Sequence, residues 1–133
     1  MKAHGARSVL VSGGFVYFTS RVAKMAGFDA DRANTLIDDG VALTGAVGTP
    51  ILGREAKLTA LLEETAALGL TADDAVALGD GANDLDMIKA AGLGIAYHAK
   101  PIVAAQTTAR IQYTDLRAAL FFQGYAVGDL VSV

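Results

Sequence analysis

The stretch that decides the fold is Leu78-Gly79-Asp80-Gly81-Ala82-Asn83-Asp84-Leu85-Asp86-Met87. It grows out of Ala75 to Leu78, a short apolar run that reads as a buried strand. Glycines on both sides of Asp80 let the backbone turn sharply and carry the carboxylate out of the strand. Asn83 or Asp84 can then cap a helix to about Ala91, which Gly92 stops. Asp80, Asp84 and Asp86 repel one another unless a cation or hydrogen-bond donors intervene. Hard oxygen ligands of this kind suit Mg²⁺, which is commonly held by carboxylates together with phosphate and water.

The same design recurs earlier in the chain. Ser8 to Val11 is a β-branched apolar run ending at Ser12-Gly13-Gly14, again a strand feeding a glycine turn. Val16 to Ala26 carries Phe18, Val22, Met25 and Ala26 at the spacing of an amphipathic helix, with Gly27 as its stop. Residues 28–50 change texture and read as a small hairpin region packing on the main domain. Ala56 to Leu68 is a second helix closed by Gly69. Leu93 to Ala96 and Arg110 to Tyr113 read as further strands. Pro101 opens one short helix, and Thr114 or Asp115 caps another through Leu120. Strands alternating with helices predict an α/β fold with a parallel sheet covered on both faces. Ligands of such sheets sit at the carboxyl ends of the strands, where Ser12 and Asp80 both fall.

The chain is 133 residues long and 53% hydrophobic, which suits one small packed domain spanning residues 1–133. It has no cysteine, which excludes disulfides and thiolate metal sites. Net charge is −3 with no Lys/Arg cluster, so nucleic acid is a poor partner. No apolar run is long enough to span a membrane, and the first residues lack the apolar core of a secretory signal. A cytoplasmic location is expected. His4 and His98 lack partners at ligand spacing and read as surface residues. Tyr17, Phe18, Phe121, Phe122 and Tyr125 read as packing residues, and Arg21 as a solvated helix residue.

Three strings resemble the motifs of haloacid dehalogenase-type phosphatases, in order. Gly79-Asp80-Gly81-Ala82-Asn83-Asp84 resembles their fourth motif, of which P-type ATPases carry a relative. Val11-Ser12-Gly13-Gly14-Phe15 resembles the second motif of the phosphoserine phosphatase branch, and Gly53-Arg54-Glu55-Ala56-Lys57 the third. Ala33-Asn34, Thr44-Gly45 and Ala91 to Tyr97 before Lys100-Pro101 extend the match from about Val9 to Phe122. The resemblance implies a Rossmann-like three-layer parallel sheet and Mg²⁺-dependent hydrolysis of a small phosphate ester, phosphoserine, in L-serine biosynthesis. It implies that Ser12, Gly13, Lys57 and Asn83 contact phosphate and that Asp80 ligates Mg²⁺. It also implies that Asp84 holds Lys57 or a metal-bound water.

The family's nucleophile lies in an Asp-x-Asp-x-Thr/Val string after an N-terminal strand, and this sequence has no such string. Asp29-Ala30-Asp31 has the spacing but no apolar strand before it, and Asp84-Leu85-Asp86 lies within the fourth motif. The resemblance therefore implies an incomplete fold, without its nucleophile strand and most of its cap, and a chain that is a fragment. Such a chain is expected to be inactive alone, and to self-associate or take up a complementing N-terminal segment. A non-catalytic phosphate- or partner-binding remnant, a P-type ATPase fragment, or another small-molecule phosphatase of the superfamily remain alternatives.

Overall fold

The computed structural model describes residues 1–38, 43–48 and 53–130. Its first parallel ladder pairs β1 (Val9–Phe15) with β2 (Ala30–Asn34), joined by α1 (Val16–Ala26). The second is a three-stranded parallel ladder, in the order β5 (Val76–Gly79), β6 (Leu93–Tyr97) and β7 (Ala109–Ile111). A hairpin of β3 (Leu36–Asp38) and β4 (Leu43–Val47) follows β2. The helices are α2 (Arg54–Ala67), α3 (Leu85–Ala90), α4 (Pro101–Ala104) and α5 (Ala118–Phe122).

The hairpin expected over residues 28–50 is thus confined to β3 and β4, while Ala30–Asn34 pairs in parallel with β1. Residues 39–42 and 49–50 of that segment lie outside the described residues. The strand in Ala-Asp-Arg-Ala-Asn has a physical reading. Successive side chains of a strand point to opposite faces. Asp31 accepts hydrogen bonds from Thr19 at 2.6 Å and Ser20 at 3.1 Å, both on α1. Arg32 turns the other way, to Glu63 and Glu64 on α2. The ladder is therefore a layer between two helices, and its charged residues fasten it to both.

The second ladder shows the same two-faced packing in apolar terms. Ile95, Ile111 and Ala119 form a buried cluster, with Val76, Leu78, Leu93 and Tyr97 packed around it. On the opposite face Gly94 lies against α3. A β-carbon there would sit 1.9 Å from the carbonyl oxygen of Ile88, so helix and strand meet backbone to backbone. Leu85, Met87 and Ile88 of α3 are buried.

One helix faces the other way from its sequence pattern. In α1 the buried residues are Thr19 and Ala23, whereas Phe18, Val22 and Met25 are exposed, Met25 by 88%. Thr19 is drawn inward by Asp31, and the small Ala23 lets the helix approach the ladder. Tyr17, Phe121 and Phe122 are also exposed rather than packed. Arg21 lies over the Tyr17 ring, 3.7 Å from its centroid.

Within each ladder β1 and β5 are paired on one side, and the described residues show no pairing between the two. Helix α2 carries ion pairs to both sides: Arg7 and Arg32 meet Glu64, while Arg54 and Lys57 meet Asp86 and Asp84.

These pairs predict acid sensitivity. The bond from Arg7 holds the Glu64 carboxyl below its usual range, as Arg54 does for Asp86. Asp29, bonded by Lys2 and by the backbone and hydroxyl of Ser8, is lowered to about 2. A carboxyl with a depressed folded pKa stabilises fully above its unfolded value and loses that contribution as pH falls through the folded one. The urea midpoint should hold steady above about pH 5 and decline from about pH 4 toward pH 2. A midpoint unchanged over that interval would contradict the assignment.

Candidate active site

The site is built at the corner where β5 ends. Asp80 leaves the strand between Gly79 and Gly81, and a turn over residues 82–84 leads into α3. Asp84 folds back beneath that corner and is 4% exposed. One carboxylate oxygen accepts the backbone N–H groups of Asp80 at 3.1 Å and Gly81 at 3.0 Å. The other accepts Lys57 Nζ at 2.5 Å. The close fold-back requires glycine at 79, because a β-carbon there would sit 2.4 Å from the Asp84 β-carbon.

Lys57 is 7% exposed and sits one turn into α2, its N–H bonded to the Gly53 carbonyl at 3.1 Å. A cation this near a helix N-terminus works against the helix dipole, and the Asp84 carboxylate offsets that. An ammonium group has three donors. Asp84 takes one, and no other bond from Lys57 Nζ forms among the described residues. Arg54, one turn earlier on the same face, makes a two-pronged pair with Asp86 at 2.5 and 2.6 Å. The first turn of α2 is thereby clamped twice to the β5–α3 corner.

Other candidate residues are disposed around this pair. Asp80 is exposed, and its carboxylate makes no hydrogen bond or ion pair among the described residues. Asn83 is exposed beside Gly81, where a β-carbon would meet its side-chain oxygen at 2.5 Å. Ser12 and Gly13 lie in the other ladder, toward the carboxyl end of β1, and no strand pairing joins them to the Lys57 region among the described residues. Ser12 Oγ accepts the Gly14 N–H at 3.0 Å.

Asp29 is tied to Lys2 and Ser8, and Asp31 to Thr19 and Ser20, so both carboxylates brace α1 and β1. The Arg54–Asp86 clamp and Asn34 were not read as site residues from the sequence. Asn34 donates to the Gly13 carbonyl at 2.8 Å, a contact across 21 positions that no local pattern announces. A cavity of about 320 Å³ lined by His98, Ala99, Gln112 and Tyr113 lies where β6 and β7 end, and none of the candidate residues lines it.

The described residues hold no group of three or more His, Cys, Asp or Glu side chains placed to bind a metal. Asp80 is a single free carboxylate. That matches an ion taking one protein oxygen and completing its shell from phosphate and water, as Mg²⁺ does.

Residues 1–89 match the haloacid dehalogenase-like hydrolase family, and the chain belongs to it. Within that family its likeness is to phosphoserine phosphatases. It is 47% identical over 106 residues to the phosphoserine phosphatase of Albidiferax ferrireducens, covering 77% of this chain and 45% of that one. The unliganded crystal structure of a probable phosphoserine phosphatase from Vibrio cholerae superposes with a TM-score of 0.85 at 36% identity, over 90% of this chain and 37% of that one. A phospho-aspartyl intermediate analogue of phosphoserine phosphatase superposes with a TM-score of 0.82 at 39% identity, over 91% and 58%. The chain thus spans roughly a third to three-fifths of the proteins it matches.

Removing one partner of a buried pair leaves the other charge uncompensated, which costs about 3–5 kcal/mol. Lys57→Met should therefore lower stability by about that amount, measured by urea unfolding. Arg54→Met, at an exposed pair, should cost far less. Equal losses in the two variants would show that burial of the Lys57–Asp84 pair is not what sets its weight.

Proposed function

We propose that this chain supplies the phosphate- and magnesium-binding part of a phosphoserine phosphatase-type site. The reaction is hydrolysis of O-phospho-L-serine to L-serine and phosphate, in the cytoplasm, as a step of L-serine biosynthesis. The observation that carries the reading is the Lys57–Asp84 pair, buried under the exposed Asp80 at the end of β5. A buried pair costs desolvation that a surface ion pair does not, and this one lies at the strand end where a ligand would sit.

Each residue has a role consistent with its surroundings. The Ser12 hydroxyl and the Gly13 N–H donate to phosphate oxygens, a cradle of unshielded donors. Lys57, with two donors to spare, neutralises phosphate charge at a fixed place. Asp84 acts through Lys57: its oxygens already accept three donors, which leaves it little capacity to bind a ligand directly. Asn83 stands beside the phosphate. Asp80 would hold Mg²⁺, which when bound withdraws charge from the phosphate oxygens. Positioned charges of this sort supply much of the stabilisation in phosphoryl transfer.

The sequence has no Asp-x-Asp-x-Thr/Val string to supply the carboxylate that attacks phosphorus. Bound substrate would therefore be held without forming the covalent intermediate, and turnover by this chain alone should be negligible. Inorganic phosphate should bind, more tightly with Mg²⁺, by calorimetry. Asp80→Asn should abolish the Mg²⁺ dependence while leaving the metal-free affinity near its starting value. No phosphate should be released from L-phosphoserine. Turnover that disappears in Asp80→Asn would overturn the inactivity, and phosphate affinity indifferent to Mg²⁺ would overturn the metal role.

The free edges of β1 and β5 support a second part of the reading. Among the described residues each pairs on one side only, and such edges favour self-association or capture of a complementing strand. Light scattering at micromolar concentration should report species larger than one chain; a monodisperse monomer would count against it.

A further inference from the structure

We infer that Asn34 is a positioning residue that fixes the Ser12 hydroxyl as a phosphate donor. The inference rests on the phosphate-binding reading of β1 and adds a residue to it.

The register of the first ladder sets the problem. Val11 pairs with Arg32 and Phe15 with Asn34, so three residues of β1 stand opposite one residue of β2. Ser12, Gly13 and Gly14 therefore bulge from the ladder, and strand pairing alone does not fix their peptide planes. Two side-chain bonds do so instead. Asn34, 6% exposed and last in β2, donates Nδ2–H to the Gly13 carbonyl at 2.8 Å. The N–H of Gly14 donates to Ser12 Oγ at 3.0 Å.

That carbonyl and that N–H belong to one peptide unit, planar and trans, so they point in opposite directions. Holding the carbonyl toward Asn34 drives the N–H toward Ser12. A hydroxyl has one proton and two lone pairs. With one lone pair taken by Gly14, the Ser12 proton is turned away from the bulge and is available to an incoming oxyanion. Asn34 thus acts on the ligand through one rigid peptide.

The test is a double-mutant cycle on the full chain, with inorganic phosphate as the probe. Ser12→Ala should weaken phosphate binding about tenfold, the loss expected for one hydrogen bond to a charged group. Asn34→Leu has nearly the same shape, adds no charge and cannot donate to the carbonyl. It should weaken binding by a similar factor, and in the Ser12→Ala background it should change affinity by less than about twofold. Losses that multiply, or an Asn34→Leu variant that binds normally, would overturn the inference while leaving the phosphate site intact. Should Asn34→Leu not fold, amide exchange in Asn34→Ala decides: the Gly14 N–H should be protected in the native chain and exposed in Asn34→Ala. A Gly14 amide that exchanges freely in the native chain overturns the inference. Phosphate binding unaffected by Ser12→Ala overturns both the inference and the reading of β1 beneath it.

Discussion

The structure depends on one buried charge pair. Placing Lys57 against Asp84 costs desolvation on both sides, and the cost is offset only where geometry and extra hydrogen bonds are good. Both conditions hold: Asp84 also accepts two backbone N–H groups, and the glycine at 79 lets it come close enough to do so. The pair then fixes three things together, namely the pitch of α2 over the strands, the turn after β5, and the direction in which Asp80 leaves the protein. A hydrophobic contact in the same place could secure the first but not the other two.

Helix α2 is consequently more than a layer of the fold. Its first turn holds the β5–α3 corner through Lys57 and Arg54, and Glu63 and Glu64 farther along hold the β1–β2 ladder through Arg7 and Arg32. The two ladders have no pairing with each other among the described residues, and this helix carries ion pairs to both. The candidate donors at Ser12 and Gly13 belong to one ladder, and Asp80, Asn83 and Asp84 to the other.

What could be read in the sequence was what is local. The glycine-flanked Asp80 string and the Ser12-Gly13-Gly14 turn combine strand and turn within a few residues, so local pattern placed them, while their chemistry was read from the family resemblance. Strand β2 was hidden because its Asp31 and Arg32 look like loop residues until their partners on α1 and α2 are known. The orientation of α1 was equally hidden. Phe18, Val22 and Met25 have helical spacing, but the face that packs is chosen by Thr19 bonding Asp31 and by the small Ala23. Asn34 escaped notice because its bond to the Gly13 carbonyl spans 21 positions.

The mixture of buried and exposed charges on α2 gives the protein an unequal response to electrolyte. Screening acts over roughly 8–10 Å in water at moderate salt and reaches buried pairs far less. The Arg7 and Arg32 links to α2 are partly exposed, whereas Lys57–Asp84 is enclosed. Raising ionic strength should therefore loosen the β1–β2 side first, while the β5 corner stays fastened. The molecule would come apart asymmetrically, with one half of the proposed anion cradle drifting before the other.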